Sequence, residues 1–163
     1  MDIRIKQVIC ILSLSLMGFF GIGRLSAQIN TSLICTARIF NASHADQPKM
    51  DLLLNDIKAK LLKKPFNTYN CFIQMRQNDY VVIKGNPAMK IPLDGTSFMK
   101  LEYQELTAQD GKIAFVISYS MMDAKGKPKP PVKVTVPDGD NIILAIGKIN
   151  GIDSFIVLSF KEN

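Results

Sequence analysis

The chain has 163 residues, 47% of them apolar, which is one domain's worth and enough for a core that depends on neither disulfides nor metal. Lysine and arginine number 20 against 14 acids, a net charge of +6. Setting aside Arg4, Lys6, Arg24 and Asp2, which precede residue 28, lowers it by two to +4, too mild for a nucleic-acid footprint.

The first element is a leader. Arg4 and Lys6 precede an uncharged run from Val8 to Gly23, and Arg24–Gln28 ends it with small residues. A basic start, a short apolar core and a small-residue end describe a secretory signal peptide. The run falls short of the roughly 20 apolar residues of a spanning helix and contains serines and glycines. We expect a signal peptide over 1–27 cut after Ala27, and a single β-rich domain over 28–163; retention as an N-terminal anchor is the alternative. Cys10 lies inside the apolar core and Cys35 lacks a small residue before it, so neither suits a lipid anchor.

Leu33, Cys35, Ala37 and Ile39 alternate with Thr36 and Arg38, as in a strand with one buried face. A polar cluster, Asn41–Pro48, leads into a predicted helix between Lys49 and Lys64, with Pro48 suited to a first helical position. Met50, Leu53, Leu54, Ile57 and Leu61 form its apolar stripe. Lys60, Lys63 and Lys64 crowd the last turn, where the helix dipole favours them, and Pro65 ends it. Asp51 and Asp56 interleave, so this reads as an ordinary solvated face rather than a membrane-binding one.

From Tyr69 onward the period changes to two, through Tyr69–Met75, Tyr80–Lys84, Met89–Leu93, Phe98–Leu106, Lys112–Ser120, Val132–Val136, Asn141–Ile149 and Ser154–Phe160. Asp94-Gly95, Asp110-Gly111, Lys125-Gly126, Asp138-Gly139 and Asn150-Gly151 punctuate these runs, their glycines twelve to sixteen residues apart. That spacing suits antiparallel hairpins and leaves no room for crossover helices. Val132, Val134 and Val136 oppose Lys133 and Thr135, so one side of that strand is wet. The last two runs are apolar on both faces and need cover from a second sheet or the helix. Ile142, Leu144 and Ile146 should form one apolar face with Phe155 and Val157 across the hairpin, and Ile143, Ala145, Ile156 and Leu158 the other. The fold expected is mainly β: an antiparallel β-sandwich or half-open barrel with one principal helix packed on it.

Chemistry-bearing residues are sparse. His44 is the only histidine, in a polar turn without a carboxylate–serine or cysteine pattern nearby. A triad or zinc site asks for more ligands than His44 and two distant cysteines supply, so neither catalytic residues, metal nor cofactor are expected. None of the standard phosphate, dinucleotide, zinc-protease or serine-hydrolase motifs occurs. Asp138 and Asp140 read as a turn rather than a calcium loop. Glu102 and Glu105 are an odd number of residues apart and should point to opposite faces of their strand. Cys35 and Cys71 form an even pair after the leader and are candidates for a disulfide, which would contribute up to ~4 kcal/mol; two free, buried thiols are the alternative.

Lys125–Lys133 carries Lys125, Lys127, Lys129 and Lys133 among three prolines and should be extended and exposed. It is a candidate contact for an anionic surface, or a hairpin tip that keeps edge strands from pairing. Asn30 and Asn41 sit in glycosylation sequons, which matter only in a host that glycosylates.

The stretch from Pro65 through Lys112–Tyr119 to Pro137–Leu158 resembles small secreted bacterial β-proteins of unassigned function, in which a short helix precedes a β-meander ending in an Asp-Gly turn and two apolar strands. The likeness spans about Leu54 to Phe160. Asp110–Ser120 with Val132–Gly147 is also similar to the closing strands of bacterial secretins, although the ring-building domains of secretins are missing. The resemblance implies a Gram-negative envelope setting, not a pore. Two functions follow as expectations: a non-catalytic exported module that binds a protein or envelope component, or a small extracytoplasmic hydrolase or other enzyme with an unrecognised site. A flat apolar edge would favour the module, a concave polar cluster the enzyme. A stable membrane span is not expected once the leader is removed.

Overall fold

The computed structural model describes residues 32–122 and 127–163. The leader, Asn30 and Lys125 therefore lie outside the described residues. Those described form nine strands: β1 Ser32–Ser43, β2 Lys49–Met50, β3 Cys71–Ile83, β4 Met89–Pro92, β5 Phe98–Gln109, β6 Lys112–Met122, β7 Val132–Pro137, β8 Asn141–Ile149 and β9 Ile152–Glu162. They pair as two sheets, in the orders β2-β3-β1-β9-β8 (sheet A) and β4-β5-β6-β7 (sheet B). Neighbours are antiparallel except β2, which lies parallel to the start of β3. A mainly β sandwich with one helix is the result.

Sheet A is the middle layer. On its inner side Leu33, Cys35, Ala37 and Ile39 of β1 and Ile156, Leu158 and Phe160 of β9 meet Met99, Leu101, Tyr103, Phe115, Ile117 and Val136 of sheet B. On its outer side Phe40, Ala42, Phe72, Phe155 and Val157 lie under Leu54, Ile57 and Leu61 of the helical segment. This is why the alternation in β1 predicts only half of its burial. Arg38, expected on a wet face, is buried because the helical segment covers it, with its guanidinium forked onto Asp56: Nη1 to Oδ1 at 2.8 Å and Nη2 to Oδ2 at 2.6 Å. Nη1 also donates to the Leu53 carbonyl. Such a bidentate pair fixes both position and orientation.

The helix is shorter and tighter than its sequence suggests. Leu52–Ile57 is a 3-10 helix and only Lys58–Leu61 (α1) is α-helical. Asp51 caps the start, accepting from the Leu53 amide, while Pro48 precedes the short strand β2 instead of opening the helix. A 3-10 turn aligns residues three apart, so Leu54 and Ile57 face the sheet and Leu53 stands 61% exposed. A helix this short is not stable by propensity; packing on sheet A sets its pitch. A cis peptide bond precedes Pro65, and Phe66–Thr68 forms a second 3-10 turn.

Three β-bulges redirect side chains. In β8, Ile146 is the extra residue between Ala145 opposite Phe155 and Gly147 opposite Ser154. The shift pairs Ile142 with Leu158 and Leu144 with Ile156, reversing the face assignment expected for an unbroken hairpin. In β5 the extra residue is Gln104, so Glu102 and Glu105 oppose Ser118 and Val116, two apart on β6, and share a face instead of dividing between two. In β3 it is Met75, which is left exposed. Asp110-Gly111 and Asn150-Gly151 close hairpins with both residues at positive φ. Asp138-Gly139 does not: it carries the chain from β7 in one sheet to β8 in the other.

Candidate functional site

The sequence offered two cysteines and four lysines as site residues. Cys35 lies opposite Tyr80 on β3, whereas Cys71 lies opposite Ser43, eight positions further along β1. At about 3.3 Å per residue the two are some 26 Å apart along the ladder, far beyond bridging range. Both thiols are free, and the disulfide expectation is corrected. Burial first, then the Asp79 charge, pushes the Cys35 thiol up to about 12, so it packs as an apolar side chain.

Among the lysines, Lys127 adjoins Pro128, which bridges back to Met122, and the Lys129 amide bonds the Met121 carbonyl. The proline-rich strap thereby curls over sheet B, and Lys129 joins Lys100, Glu102, Ser118 and Ser120 around a groove of about 480 Å³. Lys133 sits 3.9 Å from Glu105. The bulge that puts Glu102 and Glu105 on this face thus sets acids among the bases, and the patch is mixed rather than basic.

A polar hollow of about 310 Å³ brings His44 to residues far away in sequence. Its ring lies 5.6 Å from that of Tyr69, whose hydroxyl donates to Asp153 Oδ2 at 3.2 Å. Lys148 Nζ is 3.1 Å from Asp153 Oδ1. Lys148 chiefly, with Tyr69 and the charge of His44 also contributing, holds the Asp153 carboxyl below the usual range; partial desolvation and then Asp153 raise the Tyr69 phenol. With both oxygens engaged and its proton affinity lowered, Asp153 is a weak base and acts as a tie between the β8–β9 hairpin and the loop before β3.

A second hollow, which the sequence did not single out, runs along β8. Its floor is Ile142, Ile143, Leu144, Val134 and Phe66, its volume is about 410 Å³, and Lys60, Lys63 and Lys64 of the helical segment rim it. Lys60 is committed: its Nζ donates at 2.6 Å to both Asp140 Oδ1 and the Asn141 carbonyl, pinning the β7–β8 turn to the helix. That contact, ahead of an opposing desolvation, lowers the Asp140 carboxyl. No acid among the described residues pairs with Lys63 or Lys64. The Asn141 side-chain oxygen in the same hollow is buried without a hydrogen-bond partner in the protein.

The strand edges around the sandwich differ in how they are blunted. β7 is bounded by Pro131 and Pro137 and carries Lys133; β3 carries Arg76 and Asp79; β4 is short and ends in Pro92. β8 terminates sheet A, no described strand pairs with its outer edge, and from Asn141 to Gly147 it contains neither charge nor proline. Open edges are ordinarily protected by such residues.

Among the described residues no three of His, Cys, Asp or Glu gather as a metal site, and no helix is long and apolar enough to cross a membrane. No family model, no curated protein and no solved structure matches this chain. Fold and surface therefore define it as a helix-backed β-sandwich with one unblunted edge.

Proposed function

We propose that this chain is a non-catalytic, exported binding module of a bacterial cell envelope, accessory to a larger assembly. The observation that carries the reading is how the polar and apolar groups are used. Asp56, Asp140 and Asp153 are tied to Arg38, Lys60 and Lys148, and Asp94 accepts from the Thr96 and Ser97 amides of its own turn. The acids hold elements together, while the apolar edge of β8 is paired with no described strand. Groups built into structural ties serve shape, and an open edge serves association. The leader and the resemblance to small secreted β-proteins supply the setting.

The experiment is fractionation of the native protein with mass spectrometry of its N-terminus. An envelope or secreted fraction whose chain begins at or near Gln28 is expected. A chain that begins at Met1 and remains in the cytoplasm overturns the reading, and one fixed in the inner membrane replaces the exported form by an anchored one.

The hollow containing His44, Tyr69 and Asp153 favours a second reading, a small hydrolase. It predicts turnover of activated ester substrates that His44→Ala abolishes while the unfolding free energy from urea titration stays within about 0.5 kcal/mol of wild type.

A further inference from the structure

We infer that the outer edge of β8 is a docking site for an extended peptide of alternating acidic and apolar residues, added as a sixth strand to sheet A. The inference rests on the binding-module reading and names the partner chemistry.

The backbone supplies the first argument. β8 is an edge strand uncharged over its first seven residues, with Ile142, Ile143 and Leu144 half-buried along it, whereas β7 and β3 are guarded by prolines or charges. An unguarded apolar edge in a folded protein is a template for another strand.

Side-chain geometry supplies the second and fixes the occupant. Ile142 and Leu144 point inward with Val134 of β7, so the added strand's inward residues would enter an apolar gap between the sheet edges. Ile143 belongs to the outer face, where α1 and the turn after it bring Lys63 and Lys64. Successive residues of a strand face opposite sides. One set therefore meets hydrocarbon and the other meets unpaired ammonium groups: apolar inward, acidic outward. The bulge at Ile146 and Gly147 bends β8, which limits the usable edge to about Asn141–Ala145.

Charge argues against a second copy as the occupant. Antiparallel pairing of β8 with itself about Leu144 would set Lys148 opposite Asp140, which Lys60 already holds, and Asn141–Gly147 offers no acid to Lys63 and Lys64.

The probe is a fluorescein-labelled ten-residue peptide alternating glutamate and valine, titrated into the purified protein at low and high salt. Saturable binding, weakened at high salt, is expected, with amide NMR shifts concentrated on Asn141–Ala145. Lys63→Glu/Lys64→Glu, both exposed and outside every tie described above, should weaken it about tenfold or more, since two ion pairs become repulsions. A lysine–valine peptide, or one with prolines at its two central positions, should not bind. Equal binding of the lysine peptide, shifts confined to β3 or the strap groove, or no saturation each overturns the inference. So does self-association through β8 in sedimentation, or binding to phosphatidylglycerol vesicles, but not the peptide, that the double substitution abolishes. A photo-cross-linker at Asp79 of β3 that captures an envelope protein, while one at Ile143 captures none, would retire this edge and leave the binding-module reading standing.

Discussion

β8 and β9 are the two strands of one hairpin, and their sequences are about equally apolar. β9 lies between β1 and β8, and Ser154 through Leu158 are all buried, Ile156 and Leu158 against sheet B and Phe155 and Val157 under the helix. β8 has the same two layers beside it but only one neighbouring strand, and none of its residues is fully buried. The difference teaches that two-sided apolarity states a demand for cover, while place in the sheet decides how much the protein itself supplies. What β8 lacks, we propose, a partner provides.

The contrast can be broken at its strongest point by Leu158→Ala, which empties a fully buried site and should cost about 3–4 kcal/mol, against about 1–2 kcal/mol for half-buried Leu144→Ala. Urea unfolding of both variants measures the gap; equal costs would mean that β8 is as enclosed as β9. Next in size is Asp56→Ala. It leaves Arg38 buried without its carboxylate, and a loss of about 2 kcal/mol is expected, moderated because Asp56 itself is half exposed. Hydrogen exchange should locate that loss in the helix and the outer face of β1, with sheet B unchanged.

Gly147→Ala tests the bulge that sets the face of β8. Gly147 has φ +102°, a conformation unfavourable for any L side chain, so about 1 kcal/mol of destabilisation is expected even though the space around it is open. Two-dimensional NMR of the variant should show its changes in β8 and not in sheet B. The smallest effect is that of acid. Asp56, Asp94, Asp140 and Asp153 all have folded pKa values below their ordinary ones. The native state therefore binds fewer protons than the unfolded chain near pH 4. Their contribution is present above the unfolded value of about 3.9 and is lost as pH falls through the folded ones. A urea midpoint that declines from pH 5 to pH 2.5, with β8 amides losing exchange protection before those of β9, is the expected profile. Asp140 and Asp153, which tie down the turns at either end of β8, give the strand that sensitivity.

Much of this architecture is legible in the chain. The period-two runs after Tyr69, the inward set Leu33, Cys35, Ala37 and Ile39, and the need to cover the last two strands on both faces are statements about water, and water enforces them. What could not be read are the bulges at Met75, Gln104 and Ile146, because one inserted residue leaves the alternating pattern nearly intact while turning over every face beyond it. Face assignments for Glu102 and Glu105, and for Phe155 and Val157, went with them. The candidate site was hidden differently. Lys63 and Lys64 were visible as the end of a helix and Ile142–Leu144 as a strand, but nothing local joins them; the contact runs through the Lys60–Asp140 pair across some eighty residues. The cysteine pair misled because an even count carries no information about strand register.

β1 is held between β3 and β9, and the hydroxyl of Ser154 in β9 donates to the side chain of Asn41 in β1, 113 residues away. Sheet B, by contrast, is a run of consecutive neighbours. The chain can therefore assemble its second sheet from local hairpins early, while β1 waits for the last strand to be made. Non-local closure of this kind slows folding, to milliseconds or seconds in domains of comparable topology. Until β9 pairs with it, β1 presents an unpaired edge of its own, and the middle layer stays incomplete.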